Sequence, residues 1–387
     1  MTTLAINGGT PAIRSKIARF NTIGEQEISA VEKAMRAGPL SGYLAGDRDG
    51  GTQVYLLERE FAVAANVKHA IACNSATSGL LAACAAIGVK QDTPITVPCF
   101  TMSATAAAPA LLGADLTFGD VDPQTYLMQP QATYDTDCFI VTNLFGCGWG
   151  DEQWQTISAD VLTIEDNAQA PFATYDENYT GTIGDIGVWS FNVHKHLQCG
   201  EGGMVTTDHD KLAVAVSSFI NHGEVAGHAL GLNLRMTETT AAIARVQLAA
   251  RKNIIGSRVS QAIGLTTAAL PFYWLRPPSS PEGNTHVYYH WPFQIDQDEL
   301  KITRMQFIAA MNAEGFPLHA GYVQPLYHLP AFKRFGGHCP TAEWLWEKDL
   351  LYFSNCQWTL TDEQIGQFGE ALKKIADNIE TVRKLPQ

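Results

Sequence analysis

Lys195 is the single lysine of an otherwise apolar and glycine-rich run, SFNVHKHLQCGEGGMV, from Ser190 to Val205. An amine that forms a Schiff base must lose its proton near neutrality, and partial burial or nearby positive charge lowers its pKa. The glycines that follow permit tight turns and close approach of a bound group. Taken alone, the commoner reading is a surface lysine beside a hairpin turn. His194 and His196 flank the lysine at i, i+2, which on a strand puts them on opposite sides. One is therefore expected exposed and the other packed, and they do not make a metal pair.

Two further runs carry chemistry. In IEDNAQA, Ile164 to Ala170, Asp166 follows a strand. A carboxylate there could keep a pyridine nitrogen protonated, and Gln169 could reach a phenolic ring oxygen or stack nearby. For an isolated Asp a turn or helix cap is commoner. In NSATSGLLAA, Asn74 to Ala83, small and hydroxylic residues lead into an Ala-rich helix. The N–H groups of that helix start form a phosphate cradle to which Ser75 and Thr77 add hydroxyls, and the same residues serve as an N-cap.

These residues need a frame that brings them together. Apolar runs at His69–Cys73, Pro94–Pro98, Asp115–Phe118, Phe139–Asn143, Val161–Ile164 and Ile186–Phe191 read as strands. Helical patterns at Thr77–Ile87 and Ala104–Leu112 alternate with the first of them. The alternation predicts a mostly parallel, doubly wound α/β sheet, whose ligands sit at the carboxyl ends of the strands. Glu25–Ala37 reads as an amphipathic helix closed by Gly38-Pro39, and a glycine-rich loop runs on to Gly51. After Arg251 the pattern changes to Pro-rich connections, the run HVYYHWPFQI and a final amphipathic helix, Asp362 to Val382. Residues 1–250, with the N-terminal segment, are expected to form a large domain, and residues 251–387 a smaller α/β domain.

The 387 residues carry a net charge of −13, which repels nucleic acid, and no basic stripe offsets it. No apolar run is long enough to span a bilayer, and the start lacks the pattern of a signal peptide. The eight cysteines form no C-x-x-C pair. Buried thiols in a reducing cytoplasm are expected, with no zinc or other metal site.

The order of the three runs, phosphate cradle, then Asp, then Ser-x4-Lys, is that of the fold type I pyridoxal-phosphate (PLP) enzymes. At closer range the chain resembles the DegT/DnrJ/EryC1/StrS sugar aminotransferases. The resemblance rests on Glu165-Asp166-Asn167-Ala168-Gln169, on Gly184-Asp185 through Ser190-Phe191 to Lys195, and on Gly200 to Gly203. Gly231, Asn233, Arg235, Met236 and Glu238 continue it, and it runs from about Asn7 to the C-terminal helix.

The resemblance implies the PLP-dependent transferase fold type I, with a mostly parallel seven-stranded-type sheet, and pyridoxal 5'-phosphate as cofactor. It makes Lys195 the Schiff-base lysine and proton shuttle, and Asp166 the partner of the pyridinium nitrogen. Gln169 would contact the ring oxygen, while Ser75, Ala76, Thr77 and Ser190 would hold the phosphate. Asn233 would reach the phosphate of a neighbouring subunit's cofactor, making a homodimer with shared sites the minimal active unit. The segment from Leu40 to Gly51, with Tyr43, and Tyr322 from the small domain would border the substrate. Two departures stand out. Met102 replaces the aromatic residue that many relatives stack on the cofactor, its thioether still able to pack on the ring. Ala76 replaces a common glycine. The implied reaction moves an amino group from glutamate or glutamine to a keto-sugar, with a nucleotide-linked sugar as first choice and a keto-cyclitol of the scyllo-inosose type as the alternative. The family's dehydratase branch has histidine at the lysine position. A regulatory PLP-binding protein without catalysis is the rival of another class.

Overall fold

The structure is a computed structural model, and it describes residues 3–41, 51–131, 134–224 and 229–386. The apolar runs form a seven-stranded sheet. Its strands are β1 (His69–Cys73), β2 (Pro94–Pro98), β3 (Asp115–Gly119), β4 (Cys138–Thr142), β5 (Leu162–Asp166), β6 (Ile186–Ser190) and β7 (Gly203–Thr207). Their order across the sheet is β1-β7-β6-β5-β4-β2-β3. Only β7 runs antiparallel to its neighbours. The carboxyl ends of the other six strands and the start of β7 therefore share one edge.

Every residue of β4 is buried, as expected for a parallel strand covered on both faces. On one face lie helices α3 (Ala76–Ala86), α4 (Ala104–Leu111) and α5 (Asp210–Ile220), whose apolar residues share a core with Ile95, Val97, Ile140 and Val205. On the other face α2 (Thr52–Ala65) and α6 (Glu238–Ala249) enclose Trp189, Phe191 and Met204 with Leu57, Phe61 and Leu248. Helix α1 (Glu25–Ala37) lies against α6 and ends at Gly38.

After α7 (Arg251–Ala269) comes a four-stranded antiparallel sheet. It is built from β8 (Leu275–Arg276), β9 (Trp291–Ile295), β10 (His319–Ala320) and β11 (Leu351–Phe353), in the order β8-β9-β11-β10. Helices α8 (Arg304–Ala313) and α9 (Asp362–Asp377) cover it in a second core. Leu4, Ala12, Ile13 and Ile17 belong to this second core, although sequence order groups them with the large domain. The buried Glu314 side chain fixes them there. It accepts from the Ala5 and Ala12 N–H groups at 2.8 and 2.9 Å and pairs with Lys374 at 2.8 Å. The final helix is shorter than the sequence pattern suggests, because it breaks at Asn378 before a last turn at Ile379–Val382. No helix of the described residues is long and apolar enough to cross a membrane. All eight cysteines are free and buried.

Candidate active site

The shared edge of the large sheet gathers the residues singled out above. Strand register places Gly203 beside both Cys73 and Ser190. It also aligns Asp166 with Thr142 on one side and Val188 on the other. Ser75, just past β1, caps α3 by accepting the Ser78 N–H at 3.1 Å. A Cβ on Gly203 would stand 2.6 Å from the Ala76 nitrogen, so a glycine is required for β7 to approach the start of α3. Ala76 opens α3 without a positive φ, and its methyl group therefore leaves the backbone cradle intact. Thr77 is exposed on the first turn, and Ser190 closes β6, its Oγ accepting from the Asn192 N–H at 3.3 Å.

Glu165 and Asp166 end β5 pointing to opposite faces. Glu165 is fully buried and structural. It accepts from the N–H groups of Gly181, Ile183 and Gly184 and from the Asn143 amide. Asp166 faces the site. Its carboxylate accepts from the Thr105 hydroxyl at 2.7 Å and the Ala168 N–H at 3.2 Å. Burial pushes the Asp166 carboxyl above its ordinary value, against the pull of Thr105, Ala168 and the charge of Lys195.

Lys195 is 9% exposed and sits in a tight turn between β6 and β7. Its Nζ lies over the Tyr289 ring, 4.3 Å from the centroid. Burial lowers its pKa to about 8, with Asp166 and Cys356 opposing that shift. His194 is exposed and His196 fully buried, as expected, but a turn and not a strand separates them. Nε2 of His196 bonds the Val287 carbonyl at 2.8 Å, and burial pushes its pKa down to about 4.

Gln169 accepts from the Phe145 N–H at 3.0 Å and donates to the Tyr322 hydroxyl at 2.8 Å. Phe145 and Tyr322 both hold positive φ, 57° and 63°, and their rings meet edge to face at 4.9 Å. Two left-handed non-glycine residues on one glutamine mark a segment held in shape by its surroundings. Tyr322 thus reaches the site from the C-terminal part of the chain.

Two further expected residues are exposed. Met102 is 56% exposed beyond β2, and Asn233 is exposed and bridged to Asn221. Tyr43 and most of the Leu40–Gly51 segment fall outside the described residues. Glu238 proves structural, since its carboxylate accepts the N–H groups of Gln53 and Val54 at the start of α2. Among the described residues, Cys99, Asp120 and Cys339 bring potential ligand atoms within 4.8 Å. The Asp120 carboxylate is already engaged by the N–H groups of Thr341 and Ala342. Tyr289 and Thr105 belong to none of the chemical motifs of the sequence. The Tyr/Trp-rich run holding Tyr289 was the only available signal, and nothing marked Thr105.

Known proteins resemble this chain in sequence and in fold. A UDP-N-acetyl-3-dehydro-alpha-D-glucosamine 3-aminotransferase from Acidithiobacillus ferrooxidans is 30% identical over 346 residues, 84% of this chain and 89% of that protein. A GDP-perosamine synthase from Caulobacter vibrioides is 30% identical over 72% of this chain and 80% of its own length. The X-ray structure of an aminotransferase from Psychrobacter cryohalolentis matches with a TM-score of 0.83 and 26% identity, covering 94% of this chain and 100% of that one. The family model matches residues 21–373, which include every site element described above, and the chain therefore belongs to the DegT/DnrJ/EryC1/StrS aminotransferase family.

Proposed function

We propose that this chain is a PLP-dependent aminotransferase that moves an amino group from glutamate or glutamine to the carbonyl carbon of a nucleotide-linked keto-sugar. The observation that carries the reading is Lys195, a buried amine with its pKa near 8, at the same sheet edge as Asp166 and the start of α3. The named activities of the relatives from Acidithiobacillus and Caulobacter support the nucleotide-sugar substrate.

The donor set fits the cofactor. The first N–H groups of α3 at Ala76 and Thr77, with the hydroxyls of Ser75, Thr77 and Ser190, suit a phosphate, and Gly203 keeps that corner clear of a side chain. Asp166 is a buried carboxylate held by one hydroxyl and one N–H, and a cationic ring nitrogen would give it the opposite charge that burial calls for. Gln169 Nε2 has two protons and gives one to Tyr322, which leaves one for a ring oxygen. Met102 would pack its sulfur on the ring.

Bound PLP supplies the electron sink that lets an amino group pass between carbon skeletons. The chain's residues do the rest. Lys195 Nζ is neutral in a useful fraction near pH 7 to 8, and there takes and returns the proton at the reacting carbon. Asp166 keeps positive charge at the ring nitrogen. Tyr322, which the Gln169 amide holds at the site, borders the substrate. Asn233, exposed and bridged to Asn221, would serve the cofactor phosphate of a second copy in a homodimer.

The test is incubation of the protein with PLP, L-glutamate and UDP- or TDP-linked keto-sugars, with products read by mass. An amino-sugar nucleotide supports the reading. Amination of scyllo-inosose alone would move the substrate to the cyclitol class, and no amination of any ketone, with function retained by Lys195→Ala, would favour a regulatory protein.

A further inference from the structure

The Tyr289 ring that faces Lys195 is held from several sides. Tyr289 is 6% exposed. Its N–H donates to the Phe145 carbonyl at 2.8 Å, and its own carbonyl accepts from the Cys356 N–H at 3.1 Å. The backbone is thereby clamped between the loop after β4 and the loop after β11. Tyr288 next to it holds a φ of 53°, and a Cβ on Gly146 would stand 2.5 Å from the Tyr288 nitrogen and 3.0 Å from that of Tyr289. The clamp therefore depends on a glycine at 146. His290 packs its ring 4.2 Å from the Tyr289 ring, and His194 and His196 lie at 6.2 and 6.4 Å.

We propose that Tyr289 is the positioning residue of Lys195: its ring face seats the amine at the sheet edge and keeps water from it. This rests on Lys195 being the reactive amine. The ring acts on that amine in two opposed ways. As an apolar wall it disfavours the ammonium form, and as a π face 4.3 Å from Nζ it favours that form. The other groups that face Lys195 are Asp166 and Cys356, which favour the ammonium, and His194, His196 and His290, whose own protonation its charge disfavours.

The two actions separate by substitution. Tyr289→Phe keeps wall and face, so the Lys195 titration midpoint stays where it is. Tyr289→Leu keeps the wall and removes the face, so the midpoint falls by about half a unit to one and a half units. Tyr289→Ala admits water, so the midpoint rises toward the ordinary lysine value of about 10.4. The measurement is competitive acetylation of the full-length protein, freed of carbonyl compounds, between about pH 6 and 11, with the Lys195 peptide quantified by mass against exposed lysines. Tyr289→Met makes the same comparison as Leu should the Leu variant fail to fold. A Leu or Met midpoint equal to or above that of the wild type overturns the proposal.

Borohydride reduction with PLP and peptide mapping tests the underlying reading separately. A pyridoxyl group on another lysine removes that reading. A pyridoxyl group on Lys195, with an unchanged midpoint in the Leu variant, removes only the role of Tyr289.

Discussion

Thr105→Val isolates what tunes the buried carboxylate. The substitution is close to isosteric, and it removes the 2.7 Å hydroxyl donor to Asp166 while the Ala168 N–H stays at 3.2 Å. Thr101 loses its 3.1 Å contact with the Thr105 hydroxyl but keeps its 3.1 Å partner in Thr142, so its own hydroxyl stays satisfied. A hydrogen bond to a charged group contributes about 1.5–3 kcal/mol, which corresponds to a shift of about one to two pH units. Asp166 is only 5% exposed, so water replaces little of the loss. The carboxyl already lies above its ordinary value in the native chain, and the variant raises it further. The assay is PLP affinity followed by absorbance across a pH series. The acid limb, where protonated Asp166 no longer favours a cationic ring nitrogen, moves upward by about one to two units. A limb that stays in place, in a variant with unchanged thermal unfolding, refutes the idea that Thr105 holds Asp166 ionised.

Three further outcomes follow from the structure. Gly203→Ala brings a methyl group within 2.6 Å of the Ala76 nitrogen, so PLP affinity falls by about tenfold or more while secondary structure by circular dichroism persists. Glu314→Ala leaves the buried Lys374 ammonium without a counter-ion, held only by the Thr10 carbonyl among the described residues, and strips two N–H groups of their acceptor, so denaturant unfolding shows a loss of about 3–5 kcal/mol. Asp349 is 6% exposed, and burial raises its carboxyl from 3.8 to about 6 against the pull of Arg276. A raised folded pKa favours the folded state when the group is protonated. This contribution is therefore complete below about pH 4 and is lost as pH rises through about 6. Asp349→Asn removes that slope and stabilises the protein at pH 8 by up to about 3 kcal/mol in denaturant titrations.

The sequence read well where one local rule decides. Buried parallel strands are continuous apolar runs, and two of them, His69–Cys73 and Pro94–Pro98, begin and end where their patterns do. Ser75 shows itself as a cap because capping is a three-residue affair. Contacts between distant segments were not legible. Tyr289 meets Lys195 across 94 positions, and Thr105 meets Asp166 across 61. Glu165 and Asp166 look alike in the chain, and only the sheet decides that one faces buried N–H groups and the other the site. The strand geometry assumed for His194 and His196 gives way to a turn, because the antiparallel pairing of Ser190 with Gly203 leaves the residues between them to reverse direction. The break at Asn378 is local instead, and the apolar pattern that runs on past it hides it. Its side chain bonds the Lys374 carbonyl, and its φ of −118° ends a helix whose apolar periodicity continues.

The measurement that bears most directly on the central claim is the visible absorption of the purified protein with PLP, before and after L-glutamate, in the wild type and in Lys195→Ala. The account predicts a yellow band in the wild type that Lys195→Ala lacks and that bleaches when glutamate is added. A wild type with no such band, or a Lys195→Ala variant that keeps it unchanged, would contradict the assignment of Lys195 as the amine that carries the chemistry.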